Sequence, residues 1–152
     1  MNDYEFNFNG VLLNKGFWIY CYKITTRENQ LFYYIGRTGD NKEFQVGSPL
    51  KRLFAHFGDN KNSNALKTNM IKNDLSLEDC DYHFYAFGPY FGFPNTKEEH
   101  IHSRDYVSTI EKLLAEKLKE SGFNVLGTHQ MRNPFKMDNI FNEINRIFAK
   151  IT

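Results

Sequence analysis

The sequence predicts an α+β domain, and three observations predict it. Two aromatic-rich runs, Trp18–Ile24 and Leu31–Gly36, flank the short polar break Thr25–Gln30, as the strands of an antiparallel hairpin do. A third aromatic run, Asp81–Phe87, alternates weakly and reads as another strand. Between and after these runs lie stretches whose apolar residues recur at three- and four-residue spacing, the signature of amphipathic helices.

At 152 residues with 16% aromatics, among them 15 Phe, the chain has the size and apolar content of one self-sufficient domain. Cys21 and Cys80 have no metal-ligand spacing, so a reduced, cytoplasmic setting is expected. No apolar run approaches the roughly 20 residues of a membrane helix, and Met1–Glu5 lacks the basic start and apolar core of a signal peptide. A membrane partner is therefore not expected. The net charge of +1 is unevenly spread. Residues 37–73 carry seven basic against three acidic side chains, and residues 74–105 carry two against seven. The first segment can present a local basic surface on an otherwise neutral protein.

In chain order, residues 1–16 read as an edge strand or an arm packed on the core. Within the hairpin, strand alternation puts Trp18, Tyr20 and Tyr22 on one face of the first run and Phe32 and Tyr34 on one face of the second, so the Tyr20 and Tyr34 phenols can meet. Residues 37–48 form a Gly-rich polar loop. Ser48–Pro49 has the chemistry of a helix N-cap followed by a first-turn proline. In the helix that follows, Leu50, Leu53, Phe54 and Phe57 make one apolar stripe, with Arg52 and His56 together on the opposite face and Gly58 as the stop.

Ser63 is expected to cap a second helix, Asn64–Asn73, with Leu66, Met70 and Ile71 inward and Lys67 and Lys72 outward. After the third strand, Gly88–His100 reads as a long interruption, of a length that usually has a use. The longest helix is expected from about Ser103 to Ser121, ended by Gly122, with Tyr106, Val107, Ile110, Leu113, Leu114 and Leu118 buried. Glu111 lies at the flank of that stripe. Phe123–Leu126 is a short extended piece, and a last helix, Met137–Ile151, buries Ile140, Phe141, Ile144, Ile147 and Phe148. His100 and His102 have no third ligand nearby, and His83 and His129 receive no role.

Each chemically suggestive residue has an ordinary structural explanation by itself. Their order, however, resembles the GIY-YIG nucleases. Trp18-Ile19-Tyr20 stands for the first tripeptide and Tyr34-Ile35-Gly36 for the second. The Lys51-Arg52 helix with Ala55-His56-Phe57, Ile110-Glu111 and Gly122-Phe123-Asn124 follow in the family's order. The resemblance covers residues 17 to about 126, with 127–152 as a C-terminal helical extension of the same single domain.

The resemblance implies a three-stranded antiparallel sheet flanked by helices, and hydrolysis of DNA phosphodiesters with one Mg²⁺ or Mn²⁺ per site. It casts Tyr20, Tyr34, Arg52, His56, Glu111 and Asn124 as the catalytic set. Glu111 would hold the metal, since Mg²⁺ favours one carboxylate completed by phosphate oxygens and water. Arg52 would bind non-bridging phosphate oxygens with its planar, permanently charged fork. Tyr20 would sit beside the attacking water, helped by His56 or Arg37, and Tyr34 and Asn124 would complete the hydrogen bonding. Arg37, Lys51, Lys61 and Lys67 are candidates for nucleic-acid phosphates.

Trp18 stands where the family has its first glycine, and loop 37–48 is longer than usual. Homing-type relatives carry a separate DNA-reading domain, whereas only residues 127–152 follow the core here. Sequence reading would then fall to insertions 37–48 and 88–102 or to the last helix, as in the restriction branch, with which a homodimer is expected. The competing expectations are a catalytically inactive nucleic-acid-binding module of the same fold, and a partner-binding domain using Tyr90, Phe91 and Phe93.

Overall fold

The computed structural model describes residues 3–40, 42, 44–58, 65–131, 133–135 and 139–152. Its centre is the hairpin of β1 (Phe17–Thr26) and β2 (Leu31–Arg37). The two strands pair in a register that sets Tyr22 opposite Tyr34 and Tyr20 opposite Gly36. Strand β3 (Cys80–Phe91) adds antiparallel to β1, and the short β4 (Asn124–Leu126) adds parallel to β2. The result is a four-stranded mixed sheet in the order β3-β1-β2-β4. It replaces the three-stranded antiparallel sheet implied by the resemblance, because the extended piece after the long helix is captured by the free edge of β2.

Alternation along the central strands divides the core in two. One face presents Phe17, Ile19, Cys21, Tyr33 and Ile35 to helices α3 (Lys97–Glu120) and α4 (Ile140–Ile151). The other presents Tyr20, Tyr22, Ile24 and Tyr34 to helices α1 (Pro49–Phe57) and α2 (Ala65–Lys72). The C-terminal helix is thus a wall of the main core: Ile140, Ile144, Ile147 and Ile151 are all buried. Ile71, expected inside, is 63% exposed, and Phe141, also expected inside, is 65% exposed. Phe141 adjoins Ile140 in sequence, so its side chain is turned about 100° away from that stripe.

Other expectations change as well. Residues 3–14 form no strand; they carry one 3₁₀ turn, Gly10–Leu13, capped by the Asn9 side chain. The interruption expected over 88–100 shrinks to residues 92–96. Strand β3 runs on through Pro89 to Phe91, which is tolerated because β3 is an edge strand. Helix α3 starts at Lys97, where Thr96 accepts a hydrogen bond from Glu99 N at 3.1 Å. Tyr90 and Phe91 pack against the main core, leaving Phe93 alone of the expected aromatic patch as an exposed ring. Ser63, Asn64 and Met137, the expected starts of two helices, lie outside the described residues. Among the described residues, no helix is long and apolar enough to cross a membrane.

Candidate active site

Helix α1 begins where the sequence places it: the Ser48 hydroxyl accepts from Lys51 N at 3.2 Å and Pro49 occupies the first turn. Its buried face is rotated from the expected one. Phe54 and Phe57 are 61% and 42% exposed, while His56, expected on the polar face, is buried beside Leu50 and Leu53. The reason is a specific partner, since Tyr20 Oη lies 2.9 Å from His56 Nε2. The imidazole is further enclosed by the rings of Tyr20, Tyr22 and Tyr34, with centroids 5.3–5.7 Å away.

Tyr20 reaches His56 by lying flat across β2. A Cβ on Gly36 would come within 2.4 Å of Tyr20 Cζ and Oη. The glycine of the second tripeptide therefore makes room for the tyrosine of the first. Tyr20 and Tyr34 do share a face, but their meeting point is the His56 ring and not a direct hydroxyl pair. Trp18 is accommodated in the core. Its amide donates to Thr38 Oγ1 at 2.8 Å, its carbonyl accepts from Thr38 N at 3.0 Å, and its indole donates to Asn14 O at 3.2 Å.

From the other side of the sheet, α3 presents Glu111. Arg37 Nε, at the end of β2, donates to Glu111 Oε2 at 2.9 Å, and the same guanidinium donates to the Gly39 carbonyl. Gly39 adopts φ +90°, and a Cβ there would strike the Phe17 ring at 2.5 Å, so the loop after β2 can turn this closely only at glycine. Tyr20, Tyr34, Arg37, Asp40, Arg52 and Glu111 line one cleft of about 210 Å³. Residues 91 positions apart in the chain, Tyr20 and Glu111, thereby share a wall.

The electrostatics of this cleft are set by burial against two guanidiniums. Burial raises the Tyr20 phenol well above its usual value, and Arg52 opposes the rise only in part. Tyr34 is pushed up to about 12, chiefly by burial, with Glu111 adding and Arg52 opposing. His56 is held down at about 4 by burial and by Arg52, so the ring is neutral near pH 7. Glu111 is raised by burial while Arg37 and Arg52 pull it back.

Asn124 is not brought to this cluster. It sits at the start of β4, exposed, with its amide donating to Leu31 O at 3.3 Å, at the far end of β2 from Gly36. Lys51 is exposed beside the cleft, Lys67 is exposed on α2, and Lys61 lies outside the described residues.

Sequence reasoning missed a second polar cavity of about 300 Å³ that shares the Arg37–Glu111 wall. Arg104, Asp105, Ser108 and His129 line it. Arg104 pairs with Asp105 at 2.7 Å, and His129 Nε2 lies 3.0 Å from Ile35 O. Arg104, Ser108 and Glu111 recur at i, i+4 and i+7, a polar stripe beside the apolar one that was the available signal.

No family model, curated protein or solved structure matches the chain.

Proposed function

We propose that this protein is a divalent-metal-dependent endonuclease that hydrolyses DNA phosphodiesters in the manner of the GIY-YIG nucleases. The observation that carries the reading is the convergence of Tyr20, Tyr34, Arg52 and Glu111, from two strands and two helices, on one cleft with Arg37. A fold held together by apolar burial alone has no use for so many polar tips at one point.

The donor set fits a hard cation bound through one carboxylate. Among the described residues, no group of three or more His, Cys, Asp or Glu side chains forms a closed metal cage. A single half-buried carboxylate facing an open cleft suits Mg²⁺ or Mn²⁺ completed by water and substrate phosphate. When bound at Glu111, such an ion would supply Lewis-acid stabilisation of the charge that develops on the phosphate. Arg37 orients the carboxylate through Oε2. Arg52 offers a permanently charged donor for non-bridging oxygens.

Tyr20 and His56 position the attacking water in this proposal. A phenol held neutral by burial cannot act as a pre-formed base. Its oxygen can accept a hydrogen bond from the attacking water while its hydroxyl is held against the neutral His56 ring, so the pair orients the water, whose proton leaves to solvent as its oxygen attacks. Oxygen then bonds to phosphorus, the bond to the leaving oxygen breaks, and that oxygen takes a proton from solvent.

The test is plasmid cleavage with Mg²⁺, with EDTA, and with Glu111→Ala and Arg52→Ala beside the wild type. Cutting that vanishes with EDTA and in both variants is the expected result. One observation favours the second reading, a binding module without catalysis: Glu111 already has a cationic partner in Arg37. Retention of DNA at low salt with no cutting at any metal selects that reading. A restriction-type enzyme would further show a dimeric mass on DNA.

A further inference from the structure

Beside the catalytic cleft lies a groove of about 590 Å³, larger than the cleft itself, and Arg52 and Asp40 line both. Its walls are aromatic and basic. Phe44, from the loop after β2, and Phe93, from the turn after β3, stack at 6.4 Å between centroids and 23° between planes. Both are exposed, at 41% and 52%, although each is a large ring. Beneath them the stack is supported: His100 lies 6.3 Å from Phe44 and 5.5 Å from Phe17. His100 is buried and its Nε2 lies 2.9 Å from Asp40 O, which ties the loop to α3. Phe44 is held at φ +57°, a conformation that a bulky side chain rarely adopts. A strained residue presenting an apolar ring to solvent is the kind of outlier that marks a working surface.

Among the described residues, Lys15, Lys51 and Arg52 line the same groove together with Asp40. An apolar partner segment would gain nothing from three cations, and a duplex alone would have no use for exposed stacked rings. A positively charged track with aromatic faces suits unpaired nucleotides, whose bases stack on the rings while their phosphates meet the cations. The geometry points to the Phe44–Phe93 shelf as a subsite for an unpaired nucleobase of a single-stranded or locally opened DNA strand, adjoining the cleft through Arg52. This deepens the endonuclease reading and rests on it, because it assigns that site a substrate with single-stranded character.

The measurement is equilibrium binding, without metal, of a single-stranded oligonucleotide carrying 2-aminopurine and of the matching duplex, across a salt series. Wild type is expected to bind the single strand more tightly and to quench the probe. Phe93→Ala and Phe44→Ala are expected to weaken single-strand binding by roughly ten- to hundred-fold while leaving duplex binding and the salt slope unchanged. Phe44→Trp, which keeps a ring on the shelf, retains the affinity. Lys51→Ala is expected instead to lower the single-strand salt slope by about 0.7. Equal losses on both DNA forms, no loss in the Phe variants, or no quenching overturns the shelf. If wild type cuts duplex with Mg²⁺ while binding no single strand, only the shelf falls; if it cuts no DNA with Mg²⁺ and retains neither form at low salt, the endonuclease reading falls with it.

Discussion

Arg37 and Glu111 form an ion pair, Nε to Oε2 at 2.9 Å, between the end of the central strand and the middle of the longest helix. Their side chains are only 17% and 15% exposed, so the pair is shielded from solvent and its two members set each other's chemistry. It is also the common wall of both polar cavities on this side of the molecule.

That relationship predicts what Arg37→Ala does. Burial already raises Glu111, and Arg37 is the larger of the two guanidinium influences holding it down. Without Arg37 the carboxyl rises further and is protonated at a higher pH, which competes with cation binding. Activity near neutral pH is expected to fall roughly 10- to 100-fold, with the acid limb of the pH–rate profile displaced upward and partial recovery in alkaline buffer. A profile that drops evenly at every pH assigns Arg37 to substrate binding instead.

Gly36→Ala is expected to damage fold and site together. The new methyl would stand 2.4 Å from the Tyr20 ring, against a side chain wedged between β2 and His56. Overpacking of this kind costs about 1–3 kcal/mol, and moving Tyr20 breaks its bond to His56. The expected outcome is a lower thermal midpoint together with loss of cleavage. Restored stability in a Gly36→Ala/Tyr20→Phe double variant would contradict the steric account if it exceeded that of Tyr20→Phe alone.

How far the sequence carries depends on whether a residue's partner is local. The hairpin, the Ser48–Pro49 helix start and the stripe of α3 were legible because alternation, capping and 3.6-residue periodicity act within a few residues. Tyr20, Tyr34, Arg52 and Glu111 were legible as a set only through their resemblance to a family's order of motifs. His56 was misplaced because its burial is decided by Tyr20, 36 residues away. The extended piece at Phe123–Leu126 was legible, but its parallel pairing as strand Asn124–Leu126 was not, because three residues carry no period and the partner, Phe32–Tyr34, is far away in the chain. The Phe44–Phe93 stack joins two loops that the sequence offered only as separate insertions.

The last helix is expected to be indispensable to the fold and not a removable extension. Ile147 is fully buried in the cluster that includes Ile19, Ile35 and Leu114, and the Tyr33 hydroxyl donates to Ile151 O at 3.2 Å. Ile147→Ala should cost about 2–5 kcal/mol, read as a lower urea midpoint at unchanged slope. Phe141→Ala, on the exposed face of the same helix, should stay within about 0.5 kcal/mol of wild type. Equal effects of the two would mean that α4 does not pack as described.

His56 makes the stability of the protein pH-dependent in a definite direction. In the unfolded chain its ring titrates near 6.5, whereas burial and Arg52 hold it at about 4 in the fold. Between those values the unfolded state binds a proton that the folded state refuses, so stability rises with pH across that window. The difference corresponds to roughly 3 kcal/mol, absent as a penalty above pH 6.5 and fully imposed below pH 4. Tyr20 and Tyr34, whose rings enclose His56, stay neutral across this range, so neither masks the effect. The measurement is urea unfolding of wild type and His56→Gln at pH 7.5, 6, 5 and 4. The advantage of wild type over the variant is expected to shrink steadily as the pH falls. An advantage that does not change with pH would place the His56 titration outside the folded core, and with it the neutral ring that holds the Tyr20 hydroxyl in place.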